Sequence, residues 1–259
     1  MAQNIIYCFS GTGNCLDLAK NIAKELGDTE VVMMRKKPVV TDARGYKKVG
    51  FVFPCYGGGA PKDVLEYAKQ IQVSSIAYVF AVSQSASYAG TGLAELNKIH
   101  KLEYWRAVHH QCSCIWLFPH DMMVPPVGKK LAQKLSERVA KQIAKDVREE
   151  KKKFFRPLKN PLNAAENAAW GTIVKLKAKG FAVSDACIGC GQCEKLCPRE
   201  NIRIENGKAV IGTNCVQCLG CLQYCPQSAI SLGKITDKRE HYHNVNVPAA
   251  ELMKEKFEF

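Results

Sequence analysis

The sequence has no long hydrophobic run. Nothing in it approaches the ~18 consecutive apolar residues that cross a bilayer, so a helical membrane span is not expected. No basic n-region precedes the first apolar stretch, Met1-Ala2-Gln3-Asn4-Ile5-Ile6, which runs straight into a glycine loop; a secretory leader is not expected either. Acidic side chains are scarce, 24 against 37 Lys and Arg, for a net charge of +13. The nucleotide signature G-x-x-x-x-G-K-[ST] is missing, and G-x-G-x-x-G fails because Leu16 stands where its last glycine or alanine belongs. Readings as an NTP or nicotinamide-dinucleotide binder weaken accordingly. Cysteine, by contrast, is abundant: 13 in 259 residues. An odd count in a chain of this length argues against a secreted disulfide framework and for metal or redox use in a reducing compartment, so a cytoplasmic location is expected. Apolar residues at 47% and charged ones at 24% are ordinary for a globular protein. At about 150 residues per domain, the length allows one large or two smaller domains.

Charge and cysteine are both unevenly placed. Residues 129–159 carry 12 basic and 4 acidic side chains, so +8 of the net +13 sits there. Eight of the 13 cysteines fall between Cys187 and Cys225. Pro157 and Pro161 interrupt the helical patterning between these regions. Domains are expected at 1–155 and 182–236, joined by a linker or helix at 156–181 and followed by a C-terminal tail at 237–259. Within the first, apolar runs at Ile5–Phe9, Val31–Met34, Val49–Phe53, Ile76–Val82 and inside Ala107–Leu117 read as strands. Helical patterns fit Asn14–Leu26, 62–71, 91–101 and 129–153. Alternation of this kind makes a doubly wound α/β domain.

The clustered cysteines follow C-x2-C-x2-C-x3-C-P twice: Cys187, Cys190, Cys193, Cys197, Pro198, and again Cys215, Cys218, Cys221, Cys225, Pro226, at a constant offset of 28. A tight loop with two residues between thiolates lets three sulfurs reach three corners of an Fe4S4 cube, while the fourth cysteine points away. Zinc, the competing reading, leaves the tripled spacing and the proline unexplained. Residues 182–236 resemble a bacterial two-cluster ferredoxin. The resemblance implies two [4Fe-4S] clusters, one held by Cys187, Cys190, Cys193 and Cys225, the other by Cys215, Cys218, Cys221 and Cys197.

After the first strand comes Ser10-Gly11-Thr12-Gly13-Asn14-Cys15 and then a helix, an arrangement whose N–H groups and hydroxyls can hold a phosphate. Here the chain resembles flavodoxin, with Cys15 in place of the last threonine of the phosphate-loop pattern. The resemblance implies FMN, bound also by Pro54, Cys55, Tyr56 and Gly57 after the third strand, with Tyr56 stacking, and by Ser83, Gln84, Ser85 and Tyr88 after the fourth. Trp116-Leu117-Phe118-Pro119-His120-Asp121 matches in part the turn after the fifth strand. The whole chain thus resembles the flavodoxin-ferredoxin fusion proteins of anaerobic bacteria and archaea. The expected fold class is α/β, a flavodoxin-like doubly wound five-stranded parallel sheet plus a small α+β two-cluster ferredoxin domain.

The remaining features have plainer readings. Cys8, Cys55, Cys112 and Cys114 lie in or beside apolar strands and read mainly as small hydrophobes. Cys15, at a helix N-terminus, has a reactive thiolate as its alternative. His109-His110 and His241-Tyr242-His243 read as core or surface residues rather than metal ligands, and Tyr224 as packing beside Cys225. Lys129–Lys153 reads as an amphipathic helix whose stripe, Leu131, Leu135, Val139, Ile143 and Val147, closes the sheet, while Lys130, Lys134, Lys141, Lys145, Arg148 and Lys152 face outward. That basic face suits an acidic redox partner. Nucleic-acid binding is not expected, since interleaved aromatics and any recognised module are missing. The function expected is relay of low-potential electrons between a partner protein and FMN through the clusters. The alternative is an FMN-dependent reductase of a small molecule with the ferredoxin domain as inlet.

Overall fold

The computed structural model describes residues 2–88, 90–118, 129–153 and 161–259. Pro119, His120, Asp121 and Pro157 lie outside them. The first unit runs β1 (Asn4–Cys8), α1 (Asn14–Leu26), β2 (Thr29–Met33), β3 (Lys48–Pro54), α2 (Lys62–Ala68), β4 (Tyr78–Ser85), α3 (Gly92–Asn97), β5 (Tyr104–His109) and α4 (Lys129–Arg148). The strands stand in the order β2-β1-β3-β4-β5, all parallel, which is the flavodoxin-like arrangement with its topological switch between β1 and β3. Both faces of a parallel sheet are covered, so the strands are apolar throughout rather than alternating. Ile6 and Cys8 pack with α1 and α4 on one face; Ile5, Tyr7 and Phe9 pack with α2 and α3 on the other.

One detail departs from the sequence reading. Val139 packs against this core, and Ile143 and Val147 are fully buried, but Leu131 and Leu135 are 51% and 37% exposed. Steps of four residues advance about 40° beyond a full turn each, so a long row of them spirals off the buried face. Ala140 and Ala144 take the places beside Ile143 and Val147 instead.

The second unit follows α5 (Pro161–Ala178). It comprises β6 (Phe181–Val183), α6 (Gln192–Leu196), β7 (Ile202–Glu205), β8 (Lys208–Ile211), α7 (Gly220–Gln223) and β9 (Ile230–Leu232). The repeat is visible in space: α6 and α7 follow equivalent cysteine loops, and β7 and β9 begin at Ile202 and Ile230. The β7–β8 hairpin turns on Asn206-Gly207, both at positive φ as a tight two-residue hairpin demands. Strands β6 and β9 pair antiparallel.

Residues 237–259 return to the first unit. Past α8 (Lys234–Asp237) and α9 (Ala249–Leu252), β10 (Lys256–Glu258) pairs antiparallel with β2 and extends the five parallel strands to a six-stranded sheet. Val247 and Leu252 enter the α1–α4 core, and Lys256 pairs with the buried Glu30 at 2.9 Å. The units also meet directly: the Arg199 guanidinium donates through Nε to both Asp63 carboxylate oxygens, at 2.8 and 3.1 Å.

A cavity at the sheet switch point and two cysteine foursomes

A cavity of about 170 Å³ opens at the carboxyl ends of β1, β3, β4 and β5. Ser10, Gly11, Thr12, Asn14, Cys15, Pro54, Cys55, Tyr56, Gly57, Gln84, Ser85 and Tyr88 all line it. Two other residues singled out from the sequence are not in its wall. Gly13, at φ 91°, turns the loop against Tyr224 and Val247, and Ser83 is fully enclosed in the sheet.

The β1–α1 loop is closed by the Ser10 hydroxyl, which accepts the Gly13 N–H at 3.1 Å. Helix α1 then starts at Asn14 and points its N-terminus at the cavity edge. No Lys or Arg lines the cavity among the described residues, so an anionic group there would rest on loop N–H groups, the Ser10 and Thr12 hydroxyls and the helix dipole. Cys15 serves a different purpose. Its thiol donates to Gln84 Oε1 at 3.3 Å, and burial raises its pKa, which removes the reactive-thiolate alternative.

The β3 loop is a tight turn. Tyr56 and Gly59 exchange backbone hydrogen bonds, with Gly57 and Gly58 at φ 53° and 72° between them. A side chain on Gly57 would collide with Trp170 of α5, which lies across the turn. Trp170 stacks on Trp116 at 5.8 Å, and Asn167 of the same helix donates to Glu95 at 2.6 Å. Tyr88 is 40% exposed at the mouth, and its hydroxyl donates to the Glu166 carboxylate.

Residues not anticipated complete the wall: His110, Gln111, Cys112, Ser113 and Cys114 after β5, Glu166 and Trp170 on α5, and Gln217 and Leu219 from the second cysteine loop. Cys8 alone of the four plainly read cysteines lies in a strand away from the cavity. The Cys55 thiol is pushed up to about 12 by burial, and Cys112 and Cys114 are raised for the same reason, so all three stay neutral. His110 Nδ1 accepts the Gln111 N–H at 2.9 Å, which leaves the proton on Nε2. Burial depresses its pKa to about 4.

The polar atoms of this wall are conspicuously unused. Gln84 Nε2, Ser85 Oγ, His110 Nε2, Gln111 Nε2 and both carboxamide atoms of Gln217 are buried without a partner among the described residues. Each such group costs about 1–3 kcal/mol if left bare. The set is rich in donors, with Gln217 Oε1 as a lone carbonyl acceptor, so it complements a ligand edge that carries several acceptors and an N–H.

The ferredoxin-like cysteines gather into two sets. Cys197, Cys215, Cys218 and Cys221 line one small cavity, and Cys187, Cys190, Cys193 and Cys225 another. The fourth cysteine of each run has crossed to the other set. Among the described residues, no three His, Cys, Asp or Glu side chains converge on a single ion position. Backbone N–H groups of Asn201 and Ala229, 28 residues apart, donate to Cys197 and Cys225 Sγ, each at 3.3 Å. The Gln217 N–H donates to Cys215 Sγ at 3.2 Å. No described histidine lines either set: His243 stacks on Tyr224 at 4.4 Å, and Tyr224 donates to the Val247 carbonyl at 2.8 Å.

Residues 186–230 match the family described as the 4Fe-4S dicluster domain. Over 47 residues the chain is 47% identical to a component of the ion-translocating oxidoreductase complex of Methanosarcina acetivorans, a span of 18% of each chain. Over 34 residues it is 53% identical to ferredoxin-2 from Desulfomicrobium norvegicum, 12% of this chain and 58% of that one. The chain thus spans less than two thirds of either relative. Among solved structures, an FMN-dependent NADH-azoreductase from Bacillus anthracis aligns with 56% of this chain and 99% of its own, at 6% identity and a TM-score of 0.41. Flavodoxin 1 from Bacillus cereus aligns with 55% and 97%, at 13% identity and a TM-score of 0.37. No described helix is long and apolar enough to cross a membrane. Strand order on one side and the cysteine motif with its family match on the other show a flavodoxin-like fold fused to a 4Fe-4S dicluster domain.

Proposed function

We propose that the chain is an iron-sulfur flavoprotein that relays low-potential electrons between a redox partner protein and FMN through two [4Fe-4S] clusters. One observation carries this reading: Leu219 lines both the switch-point cavity and the cavity among Cys197, Cys215, Cys218 and Cys221. The two sites share Leu219 in their walls. When bound, FMN exchanges one or two electrons and each cluster one.

The residues fit those groups. The Ser10–Cys15 loop would hold the phosphate, and Pro54, Cys55, Tyr56, Gly57 and Tyr88 would hold the isoalloxazine. The donor-rich set of Gln84, Ser85, His110, Gln111 and Gln217 would suit a pyrimidine edge, which carries two carbonyls, ring nitrogens and one N–H. The N–H bonds onto Cys197, Cys215 and Cys225 stabilise their thiolates. Cys190 is exposed and Ile188 is 64% exposed, which puts the Cys187 set where an outside donor approaches. Lys134, Lys141, Lys145 and Arg148 on the exposed side of α4 suit an acidic partner.

Anaerobic purification followed by iron, sulfide and flavin analysis tests the proposal. About eight iron and one FMN per chain are expected; zinc, or protein that takes up no flavin, overturns it. Reduction of the pure holoprotein by NADH or NADPH alone would remove the need for a protein donor. The second reading, FMN-dependent reduction of a small molecule, is favoured by the Tyr88–Glu166 pair at the mouth, where Glu166, its pKa raised by burial, is placed to supply a proton. It predicts turnover with a small acceptor that Glu166→Gln slows.

A further inference from the structure

Superposing the two cysteine repeats by their 28-residue offset aligns Gly189 with Gln217 and Gly191 with Leu219. All four have left-handed backbones, at φ 64° and 75° for the glycines and 60° for each of the others. The turn is thus the same, and in the first repeat it is made by the residue suited to it. The second repeat makes it with side chains, at a penalty of roughly 1–2 kcal/mol per residue in this region. Strain of this kind persists where the side chain has a task.

The geometry assigns that task. Gln217 and Leu219 both reach out of the ferredoxin-like unit into the switch-point cavity. Gln217 is only 4% exposed, and neither its Oε1 nor its Nε2 has a partner among the described residues. Its backbone N–H, meanwhile, donates to Cys215 Sγ at 3.2 Å. One residue therefore holds a cysteine ligand by its main chain and presents an unused carboxamide to the ligand cavity.

We propose that Gln217 is a flavin-positioning residue supplied by the ferredoxin-like unit. Its carboxamide pairs with an acceptor and the N–H of the flavin's polar edge, and the Cys197, Cys215, Cys218 and Cys221 set is the one proximal to the flavin. This inference rests on the proposed FMN and cluster reading and adds to it a residue that a free flavodoxin-like domain does not have.

The test is Gln217→Gly, which restores the residue that the first repeat uses. Backbone strain is relieved, so iron content and melting temperature should hold or rise. Protein stripped of flavin with its clusters intact is titrated with FMN: the dissociation constant should rise about 3- to 10-fold for each hydrogen bond lost. Gln217→Glu, which keeps the shape and adds a negative charge, should lower the flavin midpoint potential and move its visible absorption bands. Unchanged FMN affinity and spectra in both variants overturn the inference. Failure of the wild-type protein to bind FMN would instead strike the underlying reading, so the two failures are distinguishable.

Discussion

The carbonyl oxygen of Cys218 lies 2.1 Å from where a Cβ on Gly11 would be. The β1–α1 loop of one unit and the second cysteine loop of the other are therefore in backbone contact. Gly11→Ala should force the units apart or distort the loop. We expect a loss of about 1–3 kcal/mol, as for other overpacked sites, read as a lower denaturation midpoint. A fully stable Gly11→Ala protein with unchanged FMN affinity would contradict the close contact.

Arg199 and Asp63 also bind the units together, with side chains 23% and 18% exposed. Removing one partner leaves a partly buried charge with nothing to answer it. Arg199→Ala should cost about 2 kcal/mol. Combining it with Asp63→Ala should recover part of that loss, and a double-mutant cycle measures the coupling directly.

His110 gives a signed pH dependence. Its pKa falls from an ordinary 6.5 to about 4 in the folded protein. Below the unfolded value the unfolded chain binds a proton that the folded chain refuses, so its contribution to stability is intact above about pH 6.5 and is lost progressively as the pH falls toward 4. The full loss is on the order of 3 kcal/mol. Between pH 7 and 5.5, denaturant midpoints of His110→Gln should fall less steeply than those of the wild type. The neighbouring thiols of Cys55, Cys112 and Cys114 stay protonated over this range and do not contribute.

The crossed cysteines predict an asymmetric result. Cys225→Ala should abolish the iron site of Cys187, Cys190 and Cys193, which are remote from it in sequence, and spare the site of its own run. Iron per chain should fall from about eight to about four. Cys197→Ala should remove the other set and, because that set adjoins the flavin cavity, also perturb the flavin spectrum, which Cys225→Ala should not.

Much of this site is legible in the sequence for a physical reason. A polynuclear group fixes the spacing of its ligands, and an anion loop at a strand end fixes its glycines, so Cys187 to Cys225 and Ser10 to Cys15 announce themselves locally. His110, Gln111, Cys112, Trp170 and Gln217 do not. Trp170 and Gln217 come to the cavity only because α5 and the second cysteine loop dock over the switch point, and docking leaves no periodic trace; His110, Gln111 and Cys112 follow β5 in a segment with no motif of its own. Gln217 and Leu219 are a partial exception, since aligning the repeats sets them opposite glycines. Strand β10 is equally hidden: Lys256–Glu258 is too short to declare itself, and it is a strand only because the edge of β2 is there to receive it.

That return of β10 to β2 changes how the two units are connected. The ferredoxin-like unit is threaded into the sheet domain as an insertion, entered after α4 and left before β10, and does not hang from one end. A pendant module sweeps a volume set by its linker, and the gap between its centres fluctuates with it. An insertion held by both chain crossings, the Arg199–Asp63 pair and the Gly11–Cys218 contact is tied at four points. Under the proposed relay, an electron hop between the units would then need no diffusional encounter of two bodies.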